Sequence, residues 1–408
     1  MNKIRISIAV LFLIFISPTF SLYCLCSPTS NELTVVIDPG HGGSNHGANY
    51  NGWQEEDITL TTAIALKKKL EEYNNVDVYL TRDSNISLSL EERAAFSKQM
   101  NADILISIHY NASENHDLYG TEVWIPSSGK NYYLAKGLGE TLLNKYAENS
   151  YYDRCVKTKI GENGKDYYGI IRNAAEYSIP AIIMEHCFID NPTDETTLNA
   201  DQIELFGIWD AEAIAEYYGL PYKTEPELSY KPYANMPSYT EYDNITVYDD
   251  QTAPTDAAVK ILGEQNSKTS EIELTAYDNE SKIIYYSYST NNGLDWSELK
   301  KWDGDNSCIF SADLSSCDVL YARIYNCFDL FTECSLPIVK KSEVSTSALT
   351  TTPPLPETES DAYEDTTQPY TATTSEITEH KTATHLLFIS LFFLICSLTF
   401  LILGNRQI

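Results

Sequence analysis

The stretch VVIDPGHGGSNHGA, residues 35–48, joins a run of branched apolar residues to four glycines and two histidines. The apolar run is typical of a buried β-strand, and the glycines permit the tight loop that follows it. The strand therefore leads directly into His41. A histidine at the end of a buried strand raises the question of which other residues meet it there.

Residues 30–220 alternate apolar strand patterns with helical patterns. Nearly continuous apolar runs are typical of strands covered on both faces, and apolar residues at three- and four-residue steps indicate helices. We predict strands at 33–38, 76–81, 102–110 and 180–186, and helices at 57–73, 89–100, 131–148 and 202–219. The alternation predicts an α/β domain, which we bound at residues 29–222.

A second texture begins near residue 245, where apolar and polar residues alternate in short runs. We predict strands at 271–278, 282–290, 308–313 and 319–326. Short strands separated by turns are typical of a small all-β sandwich, bounded here at residues 223–342 with its preceding linker. The hairpin YSYSTNNGLDWSE loosely resembles bacterial immunoglobulin-like modules, and this region could bind an unidentified protein or wall ligand or serve as a spacer.

The two ends of the chain predict export and anchoring. Residues 1–28 have the basic start and apolar centre of a signal peptide or an N-terminal anchor. Residues 343–385 are rich in Ser, Thr, Pro and acids, which predicts a disordered stalk. Residues 386–404 carry no charge and are long enough to cross ~30 Å of hydrocarbon as a transmembrane helix. We therefore expect a single-pass protein of the cell membrane whose body is extracytoplasmic.

Charge and cysteine usage exclude two classes of function. The formal net charge is -30, so no basic surface is expected for nucleic acid. Nine cysteines are present but no Cys-x-x-Cys pair, which argues against a sulfur-ligated zinc site. Disulfides are expected in an exported chain, and whether Cys155 pairs with Cys187 is left open.

Three of the predicted strands finish on residues able to bind a metal or move a proton: His41, His109 and Glu185. Ligands of open α/β sheets gather at the carboxyl ends of strands, so these side chains can converge. Two histidines and a carboxylate would suit Zn²⁺, and the third ligand must be a nearby acid, either Glu55 or Glu56. Each residue alone has an ordinary structural explanation, but together they predict a metal site.

Four blocks of the sequence carry a family resemblance. VVIDPGHGGSNHGA, EEDITL, the segment from YLTRDSN to SIHYNAS, and IIRNAAEYSIPAIIMEHCFIDNP are similar to the successive motifs of zinc-dependent N-acetylmuramoyl-L-alanine amidases. The resemblance covers about residues 33–220. It implies a mixed, mostly parallel sheet covered by helices, Zn²⁺ as the cofactor and peptidoglycan as the substrate.

The resemblance also assigns roles to residues. It implies that His41, Glu55 and His109 bind zinc, with Glu56 as the rival of Glu55, and that Glu185 is the catalytic acid/base. Asp38 is a candidate to orient the ring nitrogens of the histidines. The chain departs from the family at His46 and His186. Either could join the zinc or interfere with it, but we interpret both as residues near the site or in loops. His116 is expected to be exposed.

Two alternatives to a muramoyl-alanine amidase stay open at this point. The chain could be an exported wall-binding or adhesion protein with an inactive amidase-like domain. It could also be a zinc hydrolase that cuts a different bond of the cell wall. The intact set of predicted ligands argues against the first alternative, and the resemblance alone argues against the second.

Overall fold

The computed structural model describes residues 32–224, 245–263 and 269–339. The chain divides into two compact units, residues 1–341 and 342–408, and all of the described residues lie in the first. Within this unit we name residues 32–224 the α/β region. The described part of residues 245–339 is named the β-module.

The α/β region is organised around a twisted central sheet. Its strands in chain order are β1 (Leu33–Pro39), β2 (Asn49–Tyr50), β3 (Trp53–Gln54), β4 (Val76–Leu80), β5 (Ile104–Asn111), β6 (Thr121–Trp124), β7 (Asp153–Lys157) and β8 (Ala181–Phe188). Six of them form the sheet in the order β4-β1-β5-β8-β6-β7, while β2 and β3 make a separate ribbon. All neighbours run parallel except β6 and β8. The expected mixed, mostly parallel sheet is confirmed.

Six helices are described around this sheet: α1 (Glu55–Leu70), α2 (Leu90–Gln99), α3 (Gly129–Glu148), α4 (Gly169–Ala175), α5 (Pro192–Glu195) and α6 (Ala200–Tyr218). Their ends follow local chemistry. Ser89 and Glu92 form a reciprocal capping box at the start of α2. Gly219 ends α6 with a φ of 66°, a left-handed conformation that glycine adopts without strain.

The strands bury both of their faces, as their apolar sequences predict. Val35 and Ile37 of β1 pack with apolar residues of α1, α3 and α6. Val36, which points to the opposite face, packs with residues of α4 and of the end of α2. The sheet is therefore covered by helices on both sides, and its polar residues are concentrated at the strand ends.

The β-module contains two sheets that share one core. Its strands are β9 (Thr255–Leu262), β10 (Thr269–Tyr277), β11 (Ile283–Ser289), β12 (Lys300–Lys301), β13 (Ser307–Asp313), β14 (Val319–Asn326) and β15 (Phe331–Pro337). The sheet orders are β13-β10-β9 and β12-β11-β14-β15, with antiparallel pairing throughout. Ile272 and Leu274 from the first sheet pack with Leu320 and Ile324 from the second. The expectation of a β-rich region is confirmed.

The structure also contains strands that the sequence did not predict. These are β2, β3, β6 and β7 in the α/β region and β9, β12 and β15 in the β-module. Strands β6 (TEVW) and β7 (DRCVK) are short, and only two residues of each are apolar, so they lack the nearly continuous apolar run that predicted β1, β5 and β8. Strands β6 and β7 complete the sheet on one side of β8, which carries Glu185.

One disulfide links the α/β region to the β-module. Cys155 on β7 is bonded to Cys327, which follows β14, across a sequence separation of 172 residues. Cys187 is a buried free thiol, so the open question of a Cys155–Cys187 pair is answered in the negative. The pairing was not predicted because it depends on how two distant segments meet.

The predicted signal segment 1–28, stalk 343–385 and transmembrane helix 386–404 lie outside the described residues. Among the residues that are described, no helix is both long enough and apolar enough to span a membrane.

Candidate active site

Two buried arginines hold the loop that follows β1. Arg82 donates from Nε to Pro39 O at 2.9 Å and from Nη2 to Gly40 O at 2.7 Å. Arg93 donates from Nη2 to His41 O at 2.6 Å. His41 has a φ of 61°, which is uncommon for a residue other than glycine. The two guanidinium groups thus stabilise the loop conformation that places the His41 imidazole at the strand end.

Glu55, the first residue of α1, brings two histidines together. His41 Nε2 lies 3.0 Å from Glu55 Oε2, and His109 Nδ1 on β5 lies 2.9 Å from Glu55 Oε1. One potential ligand atom from each of the three residues lies within 4.8 Å of the others. We name these three residues the His–Glu–His cluster. Imidazole nitrogens and a carboxylate are metal ligands, so this cluster could hold a metal ion.

Two glycines let the backbone pack closely against the cluster. A Cβ atom at Gly40 would lie 2.4 Å from Cε1 of His109, and one at Gly47 would lie 2.4 Å from Oε2 of Glu55. Real Cβ atoms do not approach other atoms so closely. The absence of a side chain at both positions therefore lets the backbone approach the ligands, as the glycine-rich sequence had suggested.

The charges of the cluster are strongly coupled. Burial alone would raise the pKa of the Glu55 carboxyl, but hydrogen bonds from His109 and His41 outweigh it and hold the pKa well below its usual range. Burial lowers the pKa of His41, but Glu55 reverses the effect and raises it overall. Asn45 Oδ1 accepts from His41 Nδ1 at 3.0 Å, so Nε2 faces the carboxylate. A nitrogen lone pair facing a carboxylate needs a proton or a cation between them, which fits a cation site.

Glu185 lies beside the cluster on β8, where it is the register partner of His109. Its side chain is half-buried, and Oε2 is buried without a hydrogen-bond partner in the protein. Burial and the negative charges of Glu55 and Glu122 raise its pKa well above the usual range, although Lys157 opposes them. A carboxyl group with a free oxygen and a raised pKa can exchange a proton with a bound molecule.

The two adjacent glutamates at the start of α1 are separated by the fold. Glu55 joins the His–Glu–His cluster, whereas Glu56 Oε1 accepts from His46 Nδ1 at 2.6 Å. The His46 side chain is 57% exposed and contacts Glu56. His116 is also about half exposed, and its Nδ1 donates to Asp190 Oδ2 at 2.7 Å. The structure therefore brings Glu55 to the cluster and places Glu56, His46 and His116 elsewhere.

Asp38 does not orient the histidines, and this expectation is wrong. Its Oδ1 accepts from Arg93 Nη1 at 2.7 Å and from Thr81 Oγ1, while its Oδ2 accepts from Ser107 Oγ at 2.9 Å. Each oxygen of the buried carboxylate thus has a partner other than a histidine. Asp38 instead holds Arg93, which in turn holds the backbone of His41.

His186 supports the backbone of a cluster residue. Its Nδ1 donates to the backbone oxygen of His109 at 2.9 Å, and its Nε2 lies 2.9 Å from Asp210 Oδ2. The ring is fully buried and stacks on Tyr110. Both ring nitrogens are engaged, so His186 is a neighbour of the site, in agreement with the interpretation from the sequence.

Comparison with known proteins assigns the family. Residues 35–216 match the N-acetylmuramoyl-L-alanine amidase family. A putative N-acetylmuramoyl-L-alanine amidase of Buchnera aphidicola (subspecies Baizongia pistaciae) is 30% identical over 196 residues, covering 41% of this chain and 87% of that protein. The chain belongs to this family.

Two further relatives define the extent of the likeness. The N-acetylmuramoyl-L-alanine amidase CwlM of Bacillus licheniformis is 33% identical over 169 residues, covering 41% of this chain and 60% of that protein. The structure of Cwp6 from Clostridium difficile is 36% identical, covering 46% of this chain and 29% of that chain, with a TM-score of 0.43. The match to CwlM thus spans less than two thirds of its length.

This amidase-family chain has a second group of charged residues beside Glu185. Glu122 on β6 is the register partner of Glu185, and its Oε2 accepts from Arg154 Nε at 3.0 Å and from Lys157 Nζ at 2.6 Å. We name Glu122, Arg154 and Lys157 the charged cluster, and all three are almost fully buried. Burial would raise the pKa of Glu122, but Lys157 and Arg154 lower it to about 2.

The sequence around Glu122 indicates that this carboxylate has a charged partner. Glu122 precedes the apolar pair Val123 and Trp124 in TEVW, and Glu185 ends an apolar run. A carboxylate in such a context must have a partner, because burying an unpaired charge is costly. Finding the partners Arg154 and Lys157 required the position of β7, which the sequence did not predict.

Proposed function

We propose that this chain is a zinc-dependent N-acetylmuramoyl-L-alanine amidase. In this proposal it hydrolyses the amide bond between N-acetylmuramic acid and the L-alanine of the peptidoglycan stem peptide. His41, Glu55 and His109 bind Zn²⁺, and Glu185 is the general acid/base. The family membership supports the reaction class, and the residues of the site support the mechanism.

The observation that carries the proposal is the convergence of four side chains from three strand ends and one helix start. The ligand atoms of His41, Glu55 and His109 lie within 4.8 Å of one another. Glu185 lies beside them with a buried oxygen that has no partner in the protein. A structural role for this carboxyl group would require a hydrogen bond or an opposite charge, since an unsatisfied buried oxygen is destabilising.

The donor set fits zinc in particular. Catalytic Zn²⁺ sites combine three nitrogen and oxygen ligands from the protein with an open position for water. A Zn²⁺ ion held by these residues would polarise the scissile carbonyl and lower the pKa of a bound water to ~7. A side chain at Gly40 or Gly47 would displace His109 or Glu55, so both glycines preserve the positions of these ligands.

Glu185 then performs the proton transfers. Its carboxylate accepts a proton from the attacking water and delivers it to the nitrogen of L-alanine as the amide bond breaks. Positioned general acid/base groups contribute a rate factor of ~10²–10⁴. The raised pKa of Glu185 suits a carboxyl group that must take up a proton and then release it.

We also propose that the enzyme acts outside the cytoplasm from a membrane tether. This proposal rests on the amino-acid sequence, in which the uncharged segment 386–404 follows a Ser/Thr/Pro-rich stretch. A flexible stalk of ~40 residues has a root-mean-square span of ~35 Å. A tether of this kind would confine the hydrolase to the wall of its own cell.

The test is digestion of purified muropeptides by the full-length chain and by Glu185→Gln, with mass spectrometry of the products and zinc analysis of both proteins. We expect the wild-type chain to release free stem peptides that begin with L-alanine. Chelation of zinc should abolish this release. Glu185→Gln should retain zinc but lose at least ~10²-fold in rate, because the base is removed while the ligands stay.

Two other outcomes would replace the proposal. Bound zinc with fragments cut at another bond would identify a wall hydrolase of different specificity. Retention of muropeptide without any product and without zinc would identify a binding protein with an inactive amidase-like domain.

A further inference from the structure

A row of side chains crosses the sheet from the His–Glu–His cluster to the β-module. His109 on β5 is the register partner of Glu185 on β8, which is in turn the partner of Glu122 on β6. Paired residues project from the same face with their Cβ atoms about 5 Å apart. On the next strand, Arg154 donates to Glu122. The row thus connects a predicted metal ligand to the charged cluster.

The β-module adds one more residue to this row. Asp329, in the turn between β14 and β15, accepts from Arg154 Nη2 at 3.1 Å and 2.9 Å through its two oxygens. Asn326 holds the turn, because its Oδ1 accepts from the backbone N–H groups of Phe328 and Leu330 at 3.0 Å and 3.1 Å. Tyr285 of the same module accepts from Arg154 Nη1 at 3.3 Å. The module therefore supplies partners to a side chain that is only 1% exposed.

A disulfide and a shared apolar cluster fix the position of Asp329 relative to Arg154. The disulfide between Cys155 and Cys327 connects the strand that carries Arg154 to the segment that carries Asp329. Tyr285 donates from its hydroxyl to the backbone oxygen of Tyr119, and both rings belong to one buried cluster. An interface with a disulfide, a buried ion pair and a shared core does not behave as a flexible hinge.

The ion pairs of the charged cluster include a second carboxylate only when the β-module is counted. The α/β region alone buries two cations, Arg154 and Lys157, against the single carboxylate of Glu122. Asp329 supplies the second carboxylate. Without Asp329 one buried positive charge lacks a partner, and Glu185 is the adjacent carboxyl group whose oxygen is still free.

We propose that the β-module is a built-in part of the active site, and that Asp329 is a positioning residue that keeps Glu185 free. Asp329 occupies Arg154, so Arg154 and Lys157 are satisfied by Glu122 and Asp329 and do not draw the Glu185 carboxylate away from the His–Glu–His cluster. This inference rests on the proposed function of Glu185. It gives the β-module a role that a spacer or an independent binding module would not have.

The test compares three variants of the full-length chain with wild type. Asp329→Asn removes the charge and keeps the shape. Lys282→Gln is the matched control, because it removes an interface ion pair with Asp153 that is partly exposed and has no link to Glu122. Asp329→Asn combined with Lys157→Met removes one charge of each sign and so restores the balance.

We expect Asp329→Asn to lower kcat on muropeptides by about 10-fold to 100-fold, since small displacements of a reacting group have effects of this size. KM and zinc content should stay within about twofold of wild type, because the ligands are untouched. Lys282→Gln should match wild type. The double variant should be more active than Asp329→Asn, and a purely structural role of Asp329 would not produce this rescue.

A second measurement does not depend on activity. Trp124 donates from Nε1 to Glu122 Oε1 at 3.0 Å, so its fluorescence reports on the charged cluster. Its contribution is isolated by subtracting the spectrum of the matching Trp124→Phe protein in each background. In zinc-free protein, Asp329→Asn should shift the Trp124 emission, and Lys282→Gln should leave it unchanged.

The outcomes separate this inference from the proposed function. An inactive wild-type chain would contradict the amidase proposal and, with it, the positioning role of Asp329. An active wild type with Asp329→Asn equal to Lys282→Gln in kcat and in emission would overturn the inference. If Asp329→Asn does not fold, the charge-balanced double variant decides, because the inference then requires it to fold and to cleave muropeptides.

Discussion

The groups on the two sides of Glu185 differ in their charges and in how those charges are paired. On the β5 side, the His–Glu–His cluster brings together a carboxylate and two imidazoles beside a loop whose glycines pack closely against them. On the β6 side, the charged cluster and Asp329 match two cations with two carboxylates. The first arrangement could hold a metal ion, whereas the second pairs its charges within the protein.

The difference shows how one sheet edge can serve both binding and rigidity. Buried charges that satisfy one another hold β6, β7 and the β-module together without any ligand. Metal ligands that the fold brings together can form a binding site, because they can coordinate a cation. Glu185 stands between the two and keeps a free oxygen. We therefore expect substitutions on the two sides to fail in different ways.

The largest effect is expected at Glu55. Glu55→Gln removes the negative charge that joins the two histidines, so zinc binding should be lost and hydrolysis should fall by ~10³-fold or more, about 4 kcal/mol of transition-state stabilisation. Zinc content and muropeptide hydrolysis measure this. Glu56→Gln is the matched control, since Glu56 contacts His46 outside the cluster and should retain zinc. Equal loss in both variants would contradict the assignment of Glu55.

Glu122→Gln, on the β6 side of Glu185, should lower the free energy of unfolding. Two buried cations would then share one carboxylate, and removing one member of a buried pair typically costs about 3–5 kcal/mol. Chemical unfolding at neutral pH, with and without zinc, measures the loss, which should be the same in both conditions. Glu333→Gln removes a partly exposed pair with Arg323 and should cost less than about 1 kcal/mol. A similar loss in the two variants would remove the distinction drawn here.

The free energy of unfolding should depend on pH through Asp194. This buried side chain accepts from the backbone N–H groups of Gly120 and Phe188, at the ends of the segments that lead into β6 and out of β8. Burial raises its pKa from 3.8 to about 6, although the two hydrogen bonds oppose the shift. A raised pKa in the folded state stabilises the protein below pH 4, and this contribution is lost as the pH rises through 6.

Asp194→Asn should remove that pH dependence. Relative to wild type, the variant should gain about 3 kcal/mol of unfolding free energy between pH 4 and pH 7, since one pKa unit corresponds to about 1.4 kcal/mol. Denaturant unfolding at several pH values measures this gain. Asp201→Asn, at an exposed position on α6, should give a flat difference. A flat difference for Asp194→Asn as well would show that its carboxyl does not titrate in this range.

The smallest effect is expected at Gly40. A methyl group there would meet the His109 ring at 2.4 Å, so the imidazole must move and zinc affinity should fall by about 10-fold to 100-fold. A competition titration with a zinc chelator measures the change. Gly161→Ala is the control, because the nearest atom to a Cβ there lies 3.4 Å away. Unchanged affinity in Gly40→Ala would mean that the loop can relax around the site.

The long apolar elements and the candidate ligands were predictable because each has a local signal. The strands that became β1, β5 and β8 are continuous apolar runs, and His41, His109 and Glu185 stand at or near their ends. Resemblance to a known family then singled out Glu55. Asp38 was misassigned, because its buried partners Arg93 and Ser107 come from distant segments, helix α2 and strand β5, that meet only in the folded structure.

The sequence by itself determined the α/β class, the β-rich region after it and the residues that could bind a metal. These depend on short-range periodicity and on residue types that lie next to one another in the chain. The tertiary structure decided that Glu55 rather than Glu56 meets the histidines, that Cys155 pairs with Cys327, and that Asp329 reaches Arg154. These pairings depend on strand order and on the docking of the β-module, where Arg154 and Asp329 meet although they lie 175 positions apart in the chain.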